Sequence, residues 1–216
     1  PQAAAFALTI EDVKISLSGK ILLAALAVFV SASPGCRKLH RTNFAPLDGV
    51  GFSYSREEDL RALDISDAEV VELAKAKRGG LDDDACVGLI RIARVNQQPF
   101  ADGDNIFALR QAGMSEPAIL ELARLKQLGL QTGEEQAMRL AGLSDSLVLE
   151  LARRRSERKP ALSGSSLANL RNAGISEFTM TELLHRGISD KQVAGIVALK
   201  RKGASDSTVL SRYSGS

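Results

Sequence analysis

The chain has 216 residues, 44% of them hydrophobic, which suits one folded domain or two small ones and excludes a disordered chain. Its 28 basic and 26 acidic residues leave a net charge of +2, far from the basic excess that a phosphate-binding surface needs. Two Tyr, seven Phe and no Trp leave the core to Leu, Ile, Val and Ala, a choice that favours short helices over a β-sandwich.

Residues 13–36 read "VKISLSGKILLAALAVFVSASPGC": Lys14 and Lys20, an apolar run over 21–32, then small residues and a cysteine. This pattern resembles a bacterial secretory signal peptide, and Gly35-Cys36 resembles the end of a lipoprotein lipobox, which implies lipidation at Cys36. Ser33 stands where the lipobox carries an aliphatic residue, while Val30-Ser31-Ala32 offers an ordinary cleavage site, so lipid anchoring and soluble export both stay open. The run is shorter than the roughly 20 residues that span a bilayer. Residues 1–12 fit no part of a leader and read as an upstream extension, with translation starting at Val13.

A polar linker is expected over 37–59, followed by an all-α domain over 60–216. The domain is announced by one recurring turn: "LDISDAEV" (63–70), "GGLDDDACV" (79–87), "AGMSEPAI" (112–119), "AGLSDSLV" (141–148), "AGISEFTM" (173–180), "RGISDKQV" (186–193) and "KGASDSTV" (202–209). In most copies a glycine (Gly80, Gly113, Gly142, Gly174, Gly187, Gly203) ends one helix in the left-handed conformation. After an apolar residue, Ser or Asp (Asp82, Ser115, Ser144, Ser176, Ser205) caps the next. Ser66 with Glu69 and Ser189 with Gln192 add full capping boxes. Apolar residues recur at helical spacing behind each cap, as in Val70, Leu73 and Ala74.

"LRQAGMSE" at 109–116 returns as "LRNAGISE" at 170–177, and the offset of 61 holds from Pro99 to Arg124 against Pro160 to His185. A second register, at an offset of 123, matches Ile65, Ser66, Asp67 and Gly80 to Ile188, Ser189, Asp190 and Gly203. These registers predict a repeat of four short helices, with full units over about 60–124 and 125–182 and a half unit from 183. Helices this short must pack on their neighbours to persist.

The chemistry on offer is thin. His40 and His185 are the only histidines and sit in no metal or nucleophile spacing, Cys86 reads as a small buried apolar residue, and Asp82–Asp84 read as acids complementing a helix dipole. The basic runs at Arg153, Arg154, Arg155, Arg158 and Lys159 and at Lys200, Arg201 and Lys202 read as positive charge at helix C-termini. Arg110 with Glu116, and Arg171 with Glu177, recur beside the Ala-Gly turn; a structural role is expected for them, against a row of ligands along one face.

The expected function is an exported bacterial envelope protein, lipid-anchored at Cys36, that acts without catalysis, cofactor or metal as a helical binding or scaffold module. Its expected partner is another envelope protein rather than nucleic acid, with the oligomeric state open. One rival is a peptidoglycan hydrolase with a catalytic Glu, Glu116, Glu134, Glu135 and Glu177 being the nominal acids. The other is a cytoplasmic DNA-binding array of helix-turn-helix joints, which needs its basic residues gathered on one surface.

Overall fold

A computed structural model of the protein describes residues 42–128 and 132–213, and the leader 13–36 with Cys36, the upstream 1–12 and His40 lie outside the described residues. The described residues are all-α, with helices α1 (Ala45–Asp48), α2 (Tyr54–Ala62), α3 (Asp67–Arg78), α4 (Asp83–Val95), α5 (Gly103–Gln111), α6 (Glu116–Arg124), α7 (Thr132–Leu140), α8 (Asp145–Ser156), α9 (Gly164–Asn172), α10 (Glu177–His185), α11 (Asp190–Arg201) and α12 (Asp206–Arg212).

The linker expected over 37–59 is folded from Thr42 onward. Phe44, Leu47 and Phe52 are buried, Thr42 Oγ1 donates to the Ile65 carbonyl at 2.9 Å, and the Arg61 guanidinium lies 4.6 Å from the centre of the Phe44 ring. The sequence hides this because α1 is a single turn with Pro46 near its start, too short to show a helical period.

Each helix from α1 to α11 packs most closely on a helix two places away, and α12 packs equally on α10 and α11. The odd-numbered helices therefore form one row, the even-numbered helices form a second, and the apolar core lies between them. Two kinds of joint produce this alternation. From odd to even helices the chain turns through Gly80, Gly113, Gly142, Gly174 and Gly203, all at positive φ. At Gly113 the Met114 N–H bonds the Leu109 carbonyl at 3.0 Å and the Gly113 N–H bonds that of Arg110 at 2.9 Å, a Schellman closure that swings Met114 into the core.

From even to odd helices the left-handed position falls on Asp64, Gln97, Lys126 and Arg158, and on glycine only at Gly187. The same closure forms there, with Gln98 N–H on the Ala93 carbonyl and Lys159 N–H on that of Arg154. Without a glycine to mark them, the joints at Gln97, Lys126 and Arg158 escape the sequence pattern.

Gly103, at the start of α5, carries a different constraint. A methyl group there would sit 2.1 Å from the Glu72 carbonyl oxygen, because α5 presses its N-terminus onto α3 and the Gly103 N–H donates to Glu72 Oε2 at 3.0 Å. Gly164 meets α7 through side chains rather than backbone, a methyl there lying against Glu134 and Met138, and its N–H donates to Glu134.

Gly103→Ala is expected to lower stability by about 2 kcal/mol, since backbone atoms must move to admit the methyl. Gly133→Ala, where a methyl meets nothing within 4 Å, is expected to be neutral or stabilising by up to about 1 kcal/mol. Urea denaturation of both variants is the check, and equal midpoints would refute the close-approach reading.

Candidate binding surface

The joints are tied to one another by a row of acids. The first residue of each even helix from α4 onward is Asp or Glu, and its carboxylate accepts the backbone N–H of the cap residue two helices back. Asp83 takes Ser53 N–H (3.0 Å), Glu116 takes Asp82 N–H (2.9 Å), Asp145 takes Ser115 N–H (3.0 Å), Glu177 takes Ser144 N–H (2.8 Å) and Asp206 takes Ser176 N–H (3.0 Å). Two rungs of this kind lie in the odd row, Asp67 with Asn43 N–H at 2.7 Å and Asp190 with Ser163 N–H at 2.9 Å. Each acid thus sits at the positive end of its own helix and satisfies an open donor on another.

Six residues before each even-row acid stands a base: Lys77, Arg110, Arg139, Arg171 and Lys200. Lys77 pairs with Asp83, Arg139 with Asp145 (3.1 Å) and Lys200 with Asp206. Arg110 instead clasps two turns at once, donating to the Met114 carbonyl (2.8 Å) and the Gly80 carbonyl (3.1 Å). Arg139 repeats that clasp on Leu143 and Gly113, but Arg171 is exposed and makes no such bond with the described residues. The partner of Arg110 in this role is therefore Arg139, one hairpin on, rather than the Arg171 that the 61-residue identity suggests. The spacing of base to acid is readable in every copy, but the base is Lys in the first and last and Arg in the three between, so residue identity alone does not display it.

The capping residues take up the expected positions. Ser66 accepts the Glu69 N–H (3.3 Å) while Glu69 accepts the Ser66 N–H (2.9 Å); Asp82, Ser115, Ser144, Ser176 and Ser205 cap α4, α6, α8, α10 and α12; and Ser189 donates its N–H to Gln192 Oε1 at 2.9 Å. Glu69 does more than cap. It is bound through both oxygens by Arg94 (2.6 and 2.9 Å) and accepts the Phe100 N–H at 3.0 Å. Burial opposes ionisation of its carboxyl, but these donors outweigh that and hold the pKa down to about 2.

The nominal catalytic acids are dispersed. Glu116 and Glu177 are ladder rungs, and Glu134 accepts the Gly164 N–H and pairs with Arg155 at 2.7 Å. Glu135 is 2% exposed, and burial pushes its pKa up to about 7 against the attraction of Arg155, with Glu134 adding to the rise. It stands apart from the pocket of about 340 Å³ lined by Leu89, Ile92, Phe100, Asn96 and Lys126, among others. Cys86 is free and fully buried, its thiol pushed up to about 12 by burial. His185 pairs with Glu150 at 3.0 Å, and Asp84 with Arg56. Among the described residues no three His, Cys, Asp or Glu are placed to hold a metal ion.

The basic run of α8 is not gathered on one surface. Arg154 is buried and donates to the Pro160 carbonyl (2.9 Å), Arg155 pairs with Glu134, Lys159 with Glu157 (2.6 Å) and Arg153 with Glu121 (3.5 Å).

What the stack leaves to solvent is one stripe per helix, and the two rows differ. The even stripes carry Glu121 and Arg124 on α6, Glu150 and Arg153 on α8, and Glu182 and His185 on α10, bridged between helices by Glu121–Arg153 and Glu150–His185, and they also expose Tyr54 on α2, Val95 on α4 and Phe178 on α10. The odd stripes carry charge chiefly towards the helix ends, where Lys75 of α3 pairs with Asp104 of α5 at 2.8 Å. Their middles present Val71 (45% exposed), Phe107 (40%), Ala137 with Leu140 (71%), Asn169 and Ala194. A polar groove of about 480 Å³ runs between α9 and α11 on this side, lined by Asn169, Asn172, Ala194 and Val197 among others. Sequence reasoning missed the face because Phe107 and Leu140 look like core positions until the rows assign them outward.

No protein-family model matches the chain, and no curated protein matches it.

Asp145→Ala, which removes a rung and the Arg139 pair, is expected to lower stability by about 1–2 kcal/mol, whereas Arg171→Ala is expected to stay within about 0.5 kcal/mol of wild type. Equal losses in urea denaturation would contradict the ladder as drawn. Acid should weaken the fold by the same route. Glu69, Asp83, Asp190 and Asp206 are all held below their usual range, burial being outweighed by the donors around them. Their contribution is full above the unfolded-state value near pH 4 and is lost as protons enter the folded state, so unfolding free energy is expected to fall steeply between about pH 4.5 and 2. A flat profile over that window would rule these carboxylates out as its holders.

Proposed function

We propose that the protein is an exported bacterial envelope protein, lipid-anchored at Cys36, that serves as a non-catalytic helical scaffold and binds a partner protein on the outer face of its odd row. The observation that carries this reading is a run of exposed apolar groups along the odd row. Val71, Phe107 and Leu140 are exposed on α3, α5 and α7, three successive helices of that row, whereas the exposed Tyr54, Val95 and Phe178 of the even row are interrupted at α6 and α8, which the Glu121–Arg153 pair bridges. Exposed apolar groups that recur along one side of an extended array favour contact with another macromolecule. Among the described residues no helix is long and apolar enough to cross a membrane, so attachment to one rests on the leader pattern of 13–36.

Two measurements test the two halves of the proposal. The mass of the mature N-terminal peptide, from the gene expressed in a bacterial host, is expected to correspond to lipid-modified Cys36, and an uncleaved N-terminus would overturn export. Photo-crosslinking side chains placed at Phe107 and Leu140 are expected to capture one protein in envelope fractions, with none captured from Ser146 on the even row. Equal capture from both faces, or none from either, would overturn the assignment of the surface.

A further inference from the structure

Glu135 lies one and a half turns before the end of α7 with 2% of its surface exposed, and its Oε2 has no hydrogen-bond partner. The neighbouring polar groups are already engaged. Arg155 of α8 directs its ion pair to Glu134 at 2.7 Å and a further hydrogen bond to the Leu162 carbonyl, and Glu134 in turn holds the Gly164 N–H at the start of α9. A carboxyl group in such a place is stable as a neutral acid and costly as an anion.

Helix α7 packs on α5, α8 and α9. Of the titratable groups on these four helices, two act on Glu135: the Arg155 guanidinium favours its charge and the Glu134 carboxylate opposes it. Met138, one turn further along α7, touches the point where α9 begins, since a methyl on Gly164 would lie 3.0 Å from its Cγ and Sδ. The group that must remain neutral thus sits beside the contact that joins α7 to the next helix of its row.

We propose that Glu135 makes α7 a proton-operated joint in the odd row: protonated, it packs and closes α7 onto α8 and α9; ionised, it loosens α7 and breaks the row at that helix. The even row continues past the break, because α6 packs directly on α8. The inference goes beyond the scaffold reading and does not depend on it, since it concerns the chain alone.

The sign follows from linkage. A carboxyl whose folded value is raised to about 7 from an unfolded value near 4.5 binds its proton more tightly when folded. Closure is therefore strongest at and below the unfolded value, and it weakens as pH rises towards 7, up to tenfold per unit.

The test is amide hydrogen exchange of the full chain at pH 5 and pH 8, corrected for the intrinsic rate, comparing 132–140 with α3 and α4 in the same sample. In wild type the opening equilibrium of α7 is expected to rise about 10- to 100-fold from pH 5 to pH 8 relative to α3 and α4, and in Glu135→Gln the rise is expected to vanish. A wild-type ratio unchanged within about twofold would overturn the proposal, as would an equal rise in Glu135→Gln. Should that variant not fold, titration of the Glu135 side-chain carbon resonance in wild type decides: a midpoint near 7 is the expected result, and one below about 5 overturns it.

Discussion

The stack depends on one economy of hydrogen bonding. A helix start leaves backbone N–H groups unmet, and a row of short helices contains many such starts. Here the cap residue's own N–H, which points away from the helix it begins, is met by the first acid of the helix two places on. That acid is stabilised by its own helix dipole and, in three hairpins, by a lysine or arginine six residues earlier. Local capping and long-range packing are thus served by the same carboxylate, and a helix too short to survive alone is fixed to its neighbour at the end where it would otherwise fray.

The separation of surfaces follows from this arrangement. Once odd helices pack on odd and even on even, each helix inside a row has neighbours on two flanks and the core behind it, leaving one outward stripe. Both rows expose apolar side chains, but the odd row sets Val71, Phe107 and Leu140 on three successive helices, while in the even row α6 and α8 carry the Glu121–Arg153 bridge between Val95 and Phe178.

The helices and their caps were legible because capping has short-range rules. The Ser66 and Glu69 box, and the glycine followed two residues later by Ser or Asp, each state their geometry within a few letters. The pairing of hairpins was not legible, since identity over 109–116 and 170–177 pointed to Arg171 whereas Arg139, in a less similar context, performs the clasp. Three joints were invisible because Gln97, Lys126 and Arg158 adopt a conformation usually betrayed by glycine. The start of the fold was missed because Phe44, Leu47 and Phe52 bury themselves from a single turn and two loops rather than from a periodic helix. Glu135 was visible only as one acid among several, since burial is a property of the assembled rows.

The reach of the rungs bears on how such a chain yields to a load. The longest of them joins residues 34 apart, and each connects only to the hairpin before it and the hairpin after it. Among the described residues, tension applied along the rows meets no hydrogen-bonded tie that spans the whole length, so resistance is set by the weakest single seam and not by the sum of all of them. A stack built in this way gives up its length in hairpin-sized steps, and each released hairpin can close again on the seam it left.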